Sequence, residues 1–300
     1  DGSTEVHPMR NGLEITTATA QYGPSRIKNE VRKKGISPEI IRDKLPELLE
    51  KIDQQIKDYE ARFPHRLRVV YQTENQYSRK TGILKTFIYP LIKGKYVAMC
   101  EGDDWWTDSL KLQKQVDVLE SEPQFSMCCT ACNQYVQETG KETVFIAPVR
   151  KVYTWKELIK RNRITNLTTL VRTEHLVEYD TVLRPQMPPF PMGDYPMWLF
   201  MASKGPVIQL PDNTSTYRVL PSSASHFVDP HKVIEFEVQA RNVAIWSNRK
   251  YGFGKKGLCI RKFNTVRKKS RLVSRKTGAN RLSLVLKGLW YAVTHPAPRA

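Results

Sequence analysis

The chain has 300 residues, 48 Lys and Arg against 30 Asp and Glu, a net charge of +18 and an apolar share of 40%, ordinary for a globular protein of one large α/β domain or two small ones. No uncharged apolar run reaches the roughly 18 residues of a membrane span, and the five cysteines form no disulfide framework by count or spacing. The first residues offer neither a basic segment nor an apolar stretch of signal type, so a reducing, cytoplasmic setting is expected.

The charge is unevenly spread. Sixteen Lys and Arg and no Asp or Glu fall between Ala240 and Ala300, while the preceding residues are nearly balanced. Such a tail suits an anionic partner, or repels itself in water.

In chain order, Asp1-Gly2-Ser3-Thr4 is a short acidic turn. Leu45, Leu48, Leu49, Ile52, Ile56, Tyr59 and Phe63 recur at helical spacing and predict a packing helix over residues 45–63, stopped by Pro64. Leu67 to Tyr71 predicts a short strand, followed by the Glu74-Asn75 turn. Ser78-Arg79-Lys80-Thr81-Gly82 puts two cations in a loop feeding a helix, where a diphosphate could be held, although solvated basic loops are commoner.

The centre of the chain is Lys95 to Glu120. An apolar run of strand length ends at Glu101-Gly102-Asp103-Asp104, and Trp105-Trp106-Thr107-Asp108 leads into an amphipathic run from Ser109. Three acids within four residues repel one another, and a hard divalent cation carrying phosphate oxygens is a natural compensation. Asp108 is the better cap for the next helix, which leaves the earlier acids for chemistry. That helix shows Leu112, Val116 and Leu119 as its buried stripe and ends at Pro123.

Phe125 to Val136 predicts a strand in which Cys128, Cys129 and Cys132 are buried thiols rather than metal ligands. Val144 to Ala147 pairs back as a hairpin, and Thr154-Trp155-Lys156-Glu157 opens a helix as a capping box. The proline-rich stretch Arg184 to Pro191 leads to Met192-Gly193-Asp194-Tyr195, an apolar helix follows to Ala202, and Gly205 to Leu210 predicts a strand. An isolated Asp194 before a helix is most simply an N-cap. Near the end, Arg267-Lys268-Lys269 precedes Leu282, Val285, Leu286, Leu289 and Val293 at helical spacing, with Trp290 beside that stripe. A basic segment leading into such a helix suits an anionic membrane surface over residues 255–294, or docking on the main domain. No nucleic-acid motif accompanies the charge, and no nucleic-acid partner is expected.

The run Glu101 to Asp108, continued through Lys111-Leu112-Gln113-Lys114-Gln115-Val116-Asp117, resembles bacterial family 2 glycosyltransferases of the A-type nucleotide-sugar fold. The resemblance reaches back to Tyr71-Gln72-Thr73-Glu74-Asn75-Gln76-Tyr77-Ser78 and on to Gly193-Asp194 and Tyr217-Arg218, covering residues 64 to 226. It implies a Rossmann-like mixed sheet flanked by helices over residues 1–228, with a basic helical extension over 229–300.

By that resemblance Asp1 belongs to the acidic turn after the family's second strand, so the first strand is expected to be missing from this chain. Asn75, Arg79, Lys80, Glu101 and Arg218 would meet the nucleotide sugar, with Glu101 on the ribose side, where many members have Asp. Asp103, helped by Asp104, would hold Mn²⁺ or Mg²⁺. Trp105 and Trp106 would offer a flat face to a sugar, or serve as core. Asp194 would take the acceptor's proton, and a loop carrying Arg218 would close over the diphosphate. The implied activity is inverting transfer of a hexose-type sugar from a nucleotide diphosphate to a glycan or lipid-linked acceptor. A non-catalytic nucleotide- or sugar-binding relic of the same fold is the alternative.

Overall fold

The structure, a computed structural model, describes residues 38–64, 67–71, 84–220 and 229–299. Asp1, Asn75, Arg79 and Lys80 lie outside the described residues. Two compact units are distinguished, Asp1–Val97 and Ala98–Ala300.

In the first unit, helix α1 (Pro38–Arg62) begins several residues before the predicted start. Its charged face is solvated, with Lys51 donating to Glu47 at 2.8 Å, one helical turn away. Tyr59, Arg62 and Phe63 cluster at its end, the guanidinium carbon 5.4 Å from each ring centre. The predicted strand Leu67 to Tyr71 is not one: the segment joins no sheet. Tyr71 is 47% exposed and its hydroxyl donates to Glu60 on α1, so local β propensity finds no neighbouring strand to satisfy it.

Strand β1 (Tyr96–Ala98) is shorter than the apolar run that predicts it. The sheet has seven strands in the order β1-β6-β3-β7-β2, with β4 added on β3 and β5 on β7. Its members are β2 (Trp105–Trp106), β3 (Met127–Val136), β4 (Lys141–Ile146), β5 (Lys151–Tyr153), β6 (Leu170–Arg172) and β7 (Val207–Val219). β3 and β7 run parallel, and the other pairings with recorded registers are antiparallel, so the sheet is mixed. β6 holds the first residues of β3 and β4 its last ones, so the two share one edge. On the far side of β7, β5 pairs with its start and β2 with its second half.

β7 runs well past the predicted Leu210. Pro211 has no N–H for a ladder and argues for a stop, but the register passes from Cys129↔Gln209 to Ala131↔Asn213, so a bulge absorbs it. Gly205 precedes β7 because a Cβ there would meet the Gln124 carbonyl oxygen at 2.5 Å.

Helices flank the sheet: α2 (Lys111–Ser121), α3 (Trp155–Leu158), α4 (Thr173–Glu178) and α5 (Asp194–Lys204). The capping box of α3 is formed, with Thr154 N donating to Glu157 Oε2 at 3.0 Å. α5 is buried from Tyr195 to Ala202, as expected of a helix apolar all round. α6 (Pro230–Lys250), α7 (Leu258–Thr277) and α8 (Arg281–Thr294) form the basic C-terminal region, in the same unit as strands β2 to β7. Trp246 of α6 is buried against Phe190, and Arg241 donates to the carbonyl of Lys160. The α/β class, the mixed sheet flanked by helices and the helical C-terminal region agree with the architecture the resemblance implies. Among the described residues no helix is long and apolar enough to cross a membrane.

Candidate active site

The acid turn is fixed by its own backbone and by β7. Asp104 N donates to the Glu101 carbonyl at 3.1 Å, closing the turn over Gly102 and Asp103. Arg218 N donates to Asp104 Oδ1 at 2.8 Å, next to the last residue of β7. The turn is thereby tied to the carboxyl end of a strand that runs parallel to its neighbour β3, where ligands bind in open α/β sheets. Asp108 stands apart from these acids. It accepts from Leu110 N and from Lys114 Nζ, each at 2.8 Å, and so prepares the start of α2.

The electrostatics of the turn are unfavourable as they stand. Asp104 is half-buried, and burial pushes its carboxyl up to about 7, against the pull of the Arg218 N–H and with the push of Glu101 and Asp103. Glu101 is also raised, chiefly because protein crowds out its water. Asn166 Nδ2, donating to Glu101 Oε1 at 2.6 Å, opposes that shift, and the charges of Asp103 and Asp194 reinforce it.

Asp194 is the first residue of α5, where backbone N–H groups favour an anion. Burial raises its carboxyl above the ordinary value, opposed by the Tyr195 N–H and by Asn162. Asn162 Nδ2 donates to Asp194 Oδ2 at 3.2 Å, while its own Oδ1 is pinned by Ile164 N. One short segment therefore holds both centres, Asn162 gripping Asp194 and Asn166 gripping Glu101. Neither contact was legible in the chain; the asparagines' four-residue spacing in a polar stretch before β6 was the available signal.

The two tryptophans part company. Trp106 donates from Nε1 to the Leu167 carbonyl at 3.0 Å and carries Lys111 Nζ 4.7 Å from its ring centre, so it packs beneath the motif. Trp105 has the Arg218 guanidinium 4.9 Å from its ring centre and Tyr135 edge-on at 6.0 Å. Arg218 lies in β7 and not in a closing loop as expected, and its Nη1 reaches Gln137 at 3.3 Å.

Sequence reading also missed Lys111. It is 1% exposed, its amine is lowered to about 8 by burial, and it donates to Gln115 Oε1 at 2.7 Å. Gln115 in turn donates to the Thr168 carbonyl at 2.9 Å. The buried face of α2 is thus Lys111, Leu112, Gln115 and Leu119, with Val116 only partly covered. Behind it, Cys128, Cys129 and Cys132 are buried in β3, and burial pushes Cys128 to about 12 and Cys132 to about 11.

Two buried polar atoms beside the acids have no hydrogen-bond partner among the described residues, Asn166 Oδ1 and Arg218 Nε. Native interiors rarely leave such atoms unsatisfied, and a polar ligand would supply partners. Among the described residues no group of three or more His, Cys, Asp or Glu forms a metal cage. Glu101, Asp103 and Asp104 nevertheless offer a hard, all-oxygen donor set, and Mg²⁺ or Mn²⁺ at phosphate sites takes few protein ligands.

No family model matches the sequence. Over 167 residues, 54% of this chain, it is 29% identical to uncharacterized proteins of Mycobacterium bovis and Mycobacterium tuberculosis, and it covers 45% of their length. The chain therefore spans about half the length of the curated relatives it matches. Among solved structures, S. aureus TarS residues 1–349 align at a TM-score of 0.42 and 12% identity, over 94% of this chain and 90% of that one. A longer S. aureus TarS structure aligns at 0.39 and 14%, over 80% of this chain and 45% of that one.

Proposed function

We propose that this chain is an inverting, metal-dependent glycosyltransferase that moves a hexose-type sugar from a nucleotide diphosphate to a hydroxyl of a glycan or lipid-linked acceptor. The observation that carries the reading is the convergence of two acid centres distant in sequence: Asp194 lies near enough to raise the Glu101 carboxyl, and the segment bearing Asn162 and Asn166 binds both.

The roles follow from chemistry. Asp194 accepts the acceptor hydroxyl's proton as the new bond forms at the anomeric carbon and the bond to the diphosphate breaks. Its raised carboxyl makes it a better base than an ordinary aspartate, and Asn162 aims it. Glu101, steadied by Asn166, accepts hydrogen bonds from the donor's ribose. Asp103 and Asp104 would hold Mn²⁺ or Mg²⁺, which when bound supplies positive charge to the departing diphosphate. Arg218 anchors Asp104 through its backbone and places its guanidinium on Trp105, a cationic edge beside the acid turn. Trp106 and Lys111 are the support beneath, not sugar contacts.

Steady-state transfer by Asp194→Asn, set beside its donor binding, tests this assignment. Transfer should fall by about 10²–10⁴-fold with the donor's Kd unchanged within about twofold. Wild-type turnover in that variant would remove Asp194 from the mechanism.

A further inference from the structure

The predicted apolar stripe of the last helix is not its buried face: Leu282, Leu286 and Val293 lie outside, and Val285 and Leu289 are half-buried. Leu284, Gly288 and Ala292 are buried, and Leu284 and Ala292 join Ile234, Val238, Val266 and Val273 in a core shared by α6, α7 and α8. The approach is close: a Cβ on Gly288 would meet Ile234 and Val266, each at 2.8 Å. That packing leaves a second row outside. Leu282, Leu286, Trp290 and Val293 are 67%, 58%, 66% and 66% exposed. At 100° per residue they fall within an arc of about 80° on one side of α8.

The partner helix of this hairpin presents charge. Arg261, Arg267, Lys268, Arg271 and Arg275 are exposed on α7, and none makes an ion pair among the described residues. The only ion pair of α7 among those residues joins Lys269 to Glu237 on α6. No acid occurs from Ala240 to Ala300 to offset them.

We propose that the α7–α8 hairpin is a docking surface for an anionic lipid bilayer, with the α8 stripe entering the headgroup–acyl boundary and the α7 cations meeting lipid phosphates. Charge complementarity favours this occupant: the exposed charges of α7 are all basic and ask for an anionic surface, while the exposed Ile260 and Leu272 of α7 and Leu, Leu, Trp and Val of α8 ask for an apolar layer beneath it. A tryptophan flanking such a stripe suits that boundary. At 14 residues α8 is too short to span a bilayer, so the helix lies on the surface. The inference does not depend on the transfer reaction.

The test is co-sedimentation of the full chain with vesicles of phosphatidylglycerol and phosphatidylcholine in equal parts, against vesicles of phosphatidylcholine alone. The mixed vesicles should bind the chain and the neutral ones should not, with affinity falling as salt rises. The double variant Leu286→Ser/Trp290→Ser, at exposed positions and with an unchanged melting temperature, should lose about tenfold or more in affinity. Arg267→Ala/Arg271→Ala should lose a similar factor and a shallower salt dependence.

Binding to mixed vesicles that the Leu286→Ser/Trp290→Ser variant leaves intact would overturn the proposal, because the stripe would then play no part. Failure to bind mixed vesicles would overturn it too. In that case a dimer abolished by the double variant would assign the stripe to a second copy, and salt-steep binding of duplex DNA would assign the charge to nucleic acid.

Discussion

At the scale of single residues, two asparagines organise the site. Asn162 and Asn166 each spend an amide donor on a carboxylate of a different centre, so removing either donor disturbs one acid and spares the other. Asn162→Ala should lower transfer while leaving nucleotide binding intact. Asn166→Ala should weaken donor binding by about tenfold, the loss of one charge-assisted hydrogen bond. Calorimetry and initial rates on the two variants check this, and identical defects would contradict it. As the proposed base, Asp194 would also set a pH dependence. Its carboxylate is the form that accepts a proton, and burial raises its protonation point above the usual aspartate value. Transfer rate at saturating substrate should therefore climb as pH rises through that raised value, and the climbing limb should disappear in Asp194→Asn. A rate already flat at the ordinary aspartate value would exclude Asp194 as the base.

At the scale of elements, packing decides what periodicity only proposes. Gly288→Leu should destabilise the three-helix region by about 1–3 kcal/mol, the cost of overpacking, because the added side chain starts 2.8 Å from Ile234 and Val266. Denaturant unfolding measures it, and an unchanged midpoint would mean that the helices give way freely. The same distinction explains how much of the fold was legible. The hairpin of β3 and β4, the capping box of α3 and the buried α5 were readable because each rests on a local pattern: a turn between two strands, a side chain at each end of one helical turn, and an apolar run. The full length of β7 was not, since Pro211 forbids the ladder and only the neighbouring β3 shows that a bulge carries the strand on. Leu67 to Tyr71 failed in the opposite sense, with strand-forming residues that no strand joins. α2 differs from its predicted stripe of Leu112, Val116 and Leu119: Lys111 and Gln115 also bury together beneath Trp106, because each satisfies the other. In the site, the acids were visible as a cluster, whereas Asn162 and Arg218's place in β7 depend on chain crossings that spacing does not reveal.

At the scale of the whole molecule, strands β2 to β7, the acid turn and the C-terminal helices belong to one unit from Ala98 onward. The last helix is locked into it at its far end, where Lys262 Nζ at 2.7 Å and Asn242 Nδ2 at 3.1 Å both donate to the His295 carbonyl. A surface that docks through α8 would therefore hold the same unit that carries the acids. In the proposed function Asp103 and Asp104 serve a cation and a diphosphate together. The most direct measurement is calorimetric titration of UDP and of GDP into the full chain, with Mn²⁺ and without it, repeated on Asp103→Ala. Micromolar binding of one of the two nucleotides is expected, requiring Mn²⁺ and lost in Asp103→Ala. Failure of a folded chain to bind either nucleotide with Mn²⁺ present, or equal binding in the metal's absence, would contradict it.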